Sequence, residues 1–303
     1  MHRLILLAVP FLLLAKPHPI QFALSETKMV KEIPPKDRDF AVVIPGDIST
    51  YVYSEEKDYY KDYQRSYFAV TKKKGGWDCM RHYEILANGC IPYFLDLEEC
   101  PSKTMTLLPK KLILEAMHLP GVSYLEIDHR VFDENRYYEI LEELLDYTRE
   151  RLVARKMAQK ILDRVKYKGK GKILYLSKQT YPDYLRCCML IGLKELLGPR
   201  VVDVPKVEHI YTNYPENTLK LYGKGFSYTK VVEDEPVDRE NIKQRIKKKE
   251  FDLIIYGSVH RGLLFHSLVR KVYPKEKIVY LCGEDEHKCK FKHYHNLFLR
   301  EYP

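Results

Sequence analysis

The sequence predicts an α/β protein made of two doubly wound, Rossmann-like domains that face each other across a cleft. Short apolar runs alternate with segments of helical period along most of the 303 residues. This alternation is the signature of parallel sheets covered by helices. Two runs in the second half, 251–258 and 277–285, are almost continuously apolar, as strands buried on both faces are.

Residues 1–38 are predicted to be an apolar leader and an extended connector. Residues 3–15 have the basic start and apolar length of a targeting segment, but the run is short for a membrane span and contains Pro10. Seven cysteines without a CxxC motif, and no Asn-x-Ser/Thr sequon, favour a cytoplasmic protein. The alternative is weak membrane association, anchoring or secretion through residues 3–15.

Residues 39–168 are predicted to form the first domain. Its expected strands are 40–47, 66–72 and 91–97, and its expected helices are 54–66, 78–88, 108–119 and 137–165. The three strands are apolar runs that end in turn residues or charge, and the helices show apolar residues at a period of 3.6. The basic segment after residue 165 marks the domain boundary.

Residues 169–303 are predicted to form the second domain. Its expected strands are 172–177, 201–211, 251–258, 277–285 and 296–302, and its expected helices are 184–198, 241–250 and 262–273. Ligands of such sheets bind beyond the carboxyl ends of the strands. The loops after strands are therefore expected to carry the chemistry.

The formal charge of +9 suits phosphorylated small molecules, an anionic membrane or nucleic acid. No zinc finger, RNP-type aromatic motif or basic zipper occurs, so no nucleic-acid partner is expected.

The loop 72–78, KKKGGWD, opens a helix and is a candidate diphosphate site. Lys72 supplies charge, and Gly75 and Gly76 allow a close approach to the backbone, beside free N–H groups at the helix start. A plain turn is the alternative. Arg81 and Glu84 lie on one face of that helix. An arginine can clamp a diphosphate and a glutamate can accept ribose hydroxyls, whereas the alternative is an ion pair within the helix.

The segment RHYEILANGCIPYF resembles the donor-binding segment of exostosin-like glycosyltransferases. PGDISTY, SYFAVTKKKGGWDC, YPDYLR, LIIYGSVHRG and LCGEDEH extend the resemblance over residues 16–303 and are most similar to the members encoded by large DNA viruses of algae. The residues that match the family's pattern position by position are Arg81, Glu84, Ala87, Gly89, Cys90, Ile91 and Pro92.

This resemblance implies a GT-B-like arrangement without an obligatory metal, in which the domain with the Arg/Glu helix holds the nucleotide. That domain comes first in this chain, whereas the usual order places it second. The implied activity is transfer of a sugar from a nucleotide-sugar donor to a hydroxyl of a glycan or glycoprotein, with inversion and an Asp or Glu general base.

Asp78 is the first candidate for the base, with a helix N-cap as its alternative role, and Asp183 and Glu284 are the reserves. His260 and Arg261 are candidates for a second donor contact, and Tyr181 and Arg186 for the acceptor side. No DxD motif occurs, and adjacent acidic residues in EDEH (284–287) point in alternating directions on a strand, so neither a metal nor another cofactor is expected.

Two other classes of function share the cleft. A nucleotide or sugar-phosphate hydrolase could use the loops 257–262 and 283–287, although a nucleophile elbow and a P-loop are absent. A non-catalytic protein that binds nucleotides or glycans would need the same binding residues but no base.

Overall fold

Two parallel sheets form the framework of the protein. The computed structural model describes residues 16–285, 289 and 294–302. The strands are β1 His18–Pro19, β2 Arg38–Phe40, β3 Ser66–Thr71, β4 Ile91–Phe94, β5 Val122–Ser123, β6 Glu126–Ile127, β7 Lys172–Leu176, β8 Val201–Val204, β9 Phe251–Tyr256, β10 Ile278–Cys282 and β11 Asn296–Leu299. The helices are α1 Glu56–Arg65, α2 Met80–Ala87, α3 Lys110–Met117, α4 Glu134–Tyr147, α5 Ala154–Arg164, α6 Tyr184–Leu197, α7 Ile242–Lys247 and α8 His266–Val272.

The first sheet has three parallel strands in the order β2-β3-β4. Helix α1 connects β2 to β3, and α2 connects β3 to β4. All six residues of β3 are buried, as expected for a central strand that packs on both faces. The antiparallel pair β5-β6 stands apart from this sheet.

The second sheet has six parallel strands in the order β1-β11-β10-β9-β7-β8. Core clusters lie on both faces: one includes residues of α5 and α6, the other includes residues of α7 and α8. The α/β class and the mostly parallel central sheet of the sequence prediction are thereby confirmed. The strands of the two sheets end in the loops that were expected to carry the chemistry.

The stretch predicted as a connector contributes to the second sheet instead. β1 pairs with β11, with His18 opposite Phe298. Ile20, Phe22 and Leu24 are buried in the core. The sequence did not predict β1, because two paired residues are too few to show a period. The Pro and charged residues on either side also indicated a connector.

The segment 137–165, predicted as one helix, is broken into α4 and α5. Thr148–Leu152 forms a π-helical turn, and Val153 is extended, with φ −83° and ψ 153°. Val153 makes an isolated parallel bridge to Leu24, and the Ala154 N–H donates to the Leu24 carbonyl at 2.6 Å. Helix α5 thus packs on α6 of the second sheet, since a Cβ at Gly192 of α6 would overlap the Ala154 carbonyl.

Among the described residues no helix is both long and apolar enough to cross a membrane. Residues 3–15, the predicted leader, lie outside the part that the structure describes.

Candidate active site

A cleft of about 920 Å³ lies between the two sheets, at the carboxyl ends of their strands. Loops after β2 and β3 and the first turns of α2 form one wall. Loops after β7, β9 and β10 form the other wall, together with residues 222–226. The cleft therefore lies where parallel sheets place their ligands.

Tyr51, Lys74 and Arg81 form a cationic group on the first wall. The Arg81 guanidinium lies 5.7 Å from the centre of the Tyr51 ring, and Lys74 Nζ donates to the Tyr51 hydroxyl at 3.3 Å. Burial alone raises the pKa of Tyr51, but the Gly46 N–H and the Arg81 and Lys74 side chains lower it to about 8. The Arg81 Nε is buried and has no hydrogen-bond partner among the described residues. This group therefore has capacity for an anion.

The first turn of α2 adds to this capacity. Cys79 is the N-cap residue, and its side chain makes no capping hydrogen bond. Cys79, Met80 and Arg81 of this turn line the cleft beside Lys74, and a helix start carries unpaired N–H groups and the positive end of the dipole. Such a helix start favours phosphate or carboxylate groups.

Gly75 and Gly76 line the cleft, as expected, and they also have a packing role. A Cβ at Gly75 would lie 2.5 Å from Oδ2 of Asp285, and a Cβ at Gly76 would lie 2.5 Å from Oε1 of Glu301. Because the two glycines have no side chains, there is room for Asp285, which follows β10, and for Glu301, which follows β11. The same absence leaves the backbone accessible to a ligand. Lys72 lies against Gly46, since its Nζ would be 3.5 Å from a Cβ there, and Lys74 takes its expected place in the cleft wall.

Glu84 lies one turn beyond Arg81 on the same wall, with 5% of its surface exposed. Its Oε2 accepts from the Tyr59 hydroxyl at 2.9 Å, and its Oε1 accepts from the Ser227 hydroxyl. Burial raises the pKa of Glu84, against the lowering effect of these two hydrogen bonds. Arg81 and Glu84 form no ion pair in the described part of the chain, so the expected alternative of a salt bridge within the helix is wrong.

Asp78 is buried, with 1% of its surface exposed. Oδ2 accepts from the Phe22 N–H at 2.7 Å and Oδ1 accepts from the Tyr83 hydroxyl at 2.6 Å. Neither oxygen binds an N–H of the first helical turn, so the N-cap role is wrong. Burial raises the pKa of Asp78 to about 7, against the lowering effect of Arg300. With both oxygens occupied, Asp78 ties the N-terminal segment to α2, and this arrangement does not favour a role as base.

Asp183 joins His260 and Arg261 on the second wall. Its Oδ2 lies 3.2 Å from His260 Nε2 and 3.6 Å from Arg261 Nε. It also accepts from the Ser258 hydroxyl at 3.0 Å, and its Oδ1 caps α6 through the Arg186 N–H at 3.1 Å. Burial raises the pKa of Asp183, but His260 outweighs this effect and the pKa falls well below its usual range. Asp183 is therefore an ionised anchor for His260 and a poor proton acceptor.

Arg186 does not reach the cleft as expected, because it is fully buried and donates to the Gln179 and Tyr181 carbonyls. From sequence alone, a charged residue among the apolar residues of α6 suggested a ligand contact. The structure shows that Arg186 is buried there instead. Tyr181, by contrast, lines the cleft and is 58% exposed. The Arg261 guanidinium lies 6.0 Å from its ring centre.

Glu284 follows β10 and is half-buried in the cleft wall. The contact recorded for its carboxylate is a weak one, from Cys282 Sγ at 3.9 Å. Of the three carboxylates expected as base candidates, Glu284 has the fewest hydrogen-bond partners among the described residues. In the described part of the chain no group of three or more His, Cys, Asp or Glu side chains could hold a metal ion. Residues 286 and 287 of EDEH lie outside that part.

Two residues that hold the cleft wall in place, Arg300 and Ser227, carried no recognisable signal in the sequence. Arg300 is buried, donates to the Asp78 carbonyl and pairs with Glu301 at 3.0 Å. Ser227 binds Glu84 from 143 positions away along the chain. Periodicity and local motifs contain no information on such distant partners.

No family model matches this chain, and no curated protein or solved structure does.

Proposed function

We propose that the protein is a glycosyltransferase that transfers a sugar from a nucleotide-sugar donor to a hydroxyl of a glycan. The observation that carries the proposal is the pairing, on one face of α2, of a partly unbonded arginine with a buried glutamate. Arg81 retains an unpartnered Nε beside an uncapped helix start, and Glu84 follows one turn later. The resemblance of residues 81–94 to the exostosin-like donor segment supports the same assignment.

Arg81, Lys74 and the N–H groups of α2 hold the diphosphate in this proposal. Charge develops on the diphosphate as the sugar departs, and preorganised positive groups stabilise that charge. The donor's diphosphate can therefore be stabilised by the protein's own cations, and the proposal invokes neither a metal nor another cofactor. His260 and Arg261 supply a second contact from the opposite wall.

Glu84 accepts the ribose hydroxyls, taking them in place of the Ser227 hydroxyl. A ribose offers two adjacent donors, and a carboxylate offers two acceptors. Tyr59 stays at Oε2 and keeps the carboxylate oriented.

Glu284 acts as the general base in this proposal. An inverting transfer requires a carboxylate that removes the proton from the acceptor hydroxyl as the new glycosidic bond forms. Asp78 and Asp183 have their oxygens engaged by fixed partners, whereas Glu284 does not. The acceptor lies beside Tyr181, whose exposed ring suits a sugar face.

The two sheets constitute the two halves of a GT-B arrangement in this proposal, with the nucleotide half first in the chain. The cleft lined from both sheets supports it. No disulfide joins the cysteines of the described residues, and we propose a cytoplasmic protein, as the cysteine pattern of the sequence favours.

Binding and turnover with a panel of nucleotide sugars test the proposal. We expect one nucleoside diphosphate to bind the wild-type chain, and Arg81→Gln to weaken binding about 10- to 100-fold through loss of a charged hydrogen bond. Arg130→Gln is the matched control, because Arg130 is exposed and pairs with Asp128 away from the cleft.

The products of the same panel separate the alternatives. Transfer of label from the sugar to a glycan supports the proposal. Release of free phosphate from nucleotides without a sugar would establish a hydrolase instead. Binding without turnover of any donor in the presence of mixed glycans would establish a binding protein.

A further inference from the structure

The six strands of the second sheet run parallel, so their amino ends meet at one edge, opposite the cleft. The segments before these strands, here called the amino edge, are 16–17, 163–172, 198–200, 247–252, 274–277 and 294–295. They hold twelve Lys or Arg residues and four Asp or Glu residues. This excess of eight positive charges compares with a net charge of +9 for the whole chain.

The carboxyl edge of the same sheet shows no such excess. The segments after its strands, 177–183, 205–208, 257–262, 283–285 and 300–302, hold four Lys or Arg and five Asp or Glu residues. The asymmetry therefore belongs to one edge and does not follow from the composition of loops in general.

Eleven of the twelve cations of the amino edge are exposed. The exposed ones are Lys16, Arg164, Lys166, Lys168, Lys170, Lys172, Lys247, Lys248, Lys249, Lys275 and Lys277. Within the described ranges none of these side chains forms an ion pair with a carboxylate, although ion pairs occur widely elsewhere. An unneutralised surface of this kind concentrates counter-ions and anionic partners.

Hydrogen bonds hold neighbouring segments of the edge together. Arg164 Nε donates to His18 Nε2 at 3.1 Å, and Arg200 donates to the Gly169 carbonyl. The Tyr273 hydroxyl accepts from the Phe251 N–H at 3.2 Å. Asn296 Nδ2 donates to the Glu276 carbonyl at 3.0 Å. These bonds connect the strand starts in two groups, one at β1, β7 and β8 and the other at β9, β10 and β11. Strand β9 pairs with both β7 and β10, so the two groups lie side by side along one edge.

The apolar segment of the chain begins at the same edge. The sequence LILLAVPFLLLA, residues 4–15, directly precedes Lys16, and Lys16 lies two residues before the first residue of β1, His18. Stable attachment to a membrane surface generally requires two signals, such as one apolar anchor and one polybasic surface. The sequence supplies both signals, because the apolar run ends next to Lys16 of the amino edge.

We infer that the amino edge docks on an anionic lipid bilayer, with residues 4–15 supplying the apolar contact. Lys and Arg residues near the surface are attracted by the negative potential of anionic leaflets, within a Debye length. The cleft then faces away from the bilayer, since it lies at the other edge of the sheet. This inference is independent of the function proposed for the cleft.

Sedimentation of the full chain with vesicles tests the inference. We expect binding to vesicles of phosphatidylcholine with 30% phosphatidylserine, weak binding to phosphatidylcholine alone, and loss of binding as KCl rises. The triple variant Lys168→Glu, Lys248→Glu, Lys277→Glu is expected to bind the anionic vesicles at least about tenfold more weakly. The control triple Lys57→Glu, Lys61→Glu, Lys111→Glu changes the net charge equally at exposed sites in the first part of the chain and is expected to bind nearly as the wild type does.

Equal weakening by both triple variants would overturn the inference, because net charge alone would then explain binding. Equal binding to neutral vesicles would overturn the role of the cations, and unchanged binding after deletion of residues 2–15 would overturn the role of the apolar segment. Tighter binding to single-stranded DNA than to the anionic vesicles, lost in the amino-edge variant alone, would assign the surface to nucleic acid. Circular dichroism establishes that each variant is folded.

Discussion

At the scale of single residues, the three carboxylates of the cleft differ mainly in how their oxygens are already used. Asp78 binds Phe22 and Tyr83, and Asp183 binds Ser258 and lies against His260, whereas Glu284 has a weak thiol contact. Sequence alone ranks Asp78 first, because it cannot show that a backbone N–H 56 positions away occupies the carboxylate.

Glu284→Gln is therefore expected to lower kcat about 100-fold or more while changing the affinity for the donor little, because a general base is lost and the binding groups stay. Steady-state kinetics with the donor identified by the panel measure this effect. Asp78→Asn serves as the comparison, and its effect should fall on stability. A larger loss of kcat in Asp78→Asn than in Glu284→Gln would return the base to Asp78.

The elevated pKa of Asp78 has a consequence for stability. Its carboxyl binds a proton in the folded state up to about pH 7, whereas in the unfolded state it loses the proton near 3.8. The folded state thus holds an extra proton between these values, and stability falls as pH rises through that window, by at most about 1.4 kcal/mol per pH unit.

The Asp78→Asn variant lacks this titration. Its free energy of unfolding is expected to rise relative to that of the wild type as pH increases from about 4 to about 7. Urea unfolding at four pH values measures the difference. Asp128→Asn is the control, because Arg130 holds the pKa of Asp128 below its usual range and its effect should be constant across the window. A constant difference for Asp78→Asn would show that its pKa is ordinary.

At the scale of elements, the segment 222–229 closes the cleft over Glu84. The backbone is left-handed at Gly223, Lys224, Gly225 and Ser227, which have φ between 58° and 76°. The Phe226 ring stacks on Tyr59, and the Ser227 N–H donates to Glu56 at 2.5 Å. Two non-glycine residues in the left-handed region indicate a conformation maintained by these contacts and not by local preference.

Ser227→Ala is expected to tighten the binding of the nucleoside diphosphate several-fold. The free protein would lose the hydroxyl that satisfies Glu84, so the ribose would displace nothing and would satisfy a buried acceptor. Titration calorimetry measures the affinity. Thr229→Val is the control within the same segment, because the Thr229 hydroxyl binds the Gly225 carbonyl and not Glu84. Unchanged affinity in Ser227→Ala would show that Glu84 does not bind the ribose.

Local sequence patterns were sufficient to predict most helices and strands. They were insufficient where a contact with a residue far away in the sequence determines the structure. The run 66–72 predicts β3 because six consecutive residues are apolar or small enough to be buried. The break at Val153 was not predictable, since its cause is a bridge to Leu24 and the helical period continues on both sides. Likewise Arg81 and Glu84 could be found by helical spacing, while Arg300 and Ser227 could not.

At the scale of the molecule, segments from the two ends of the chain connect the two sheets. Phe22 lies in the stretch after β1 and binds Asp78 at the start of α2. Arg300 and Glu301 follow β11 and bind Asp78 as well, through its carbonyl and its N–H. The interface between the sheets is thus buried and polar at its centre.

The two parts are therefore expected to unfold in one transition. Trp77 is the single tryptophan of the chain and is buried in the first part, so its fluorescence reports that part. Far-UV circular dichroism reports both sheets. Coincident urea midpoints from the two signals are expected. A tryptophan transition at lower urea than the dichroism transition would show that the first part unfolds separately.

The pairing of β1 with β11 also governs how the protein can be made. His18 leaves the ribosome well before its partner Phe298 is made, because 280 residues separate the two along the sequence (298 − 18). Until then the apolar residues that follow β1 cannot pack against the completed sheet. The apolar residues 4–15 lie close to them in the sequence. Synthesis thus leaves an apolar part of the polypeptide exposed before its partner strand exists, so we expect newly made chains to depend on chaperones until β11 has been made.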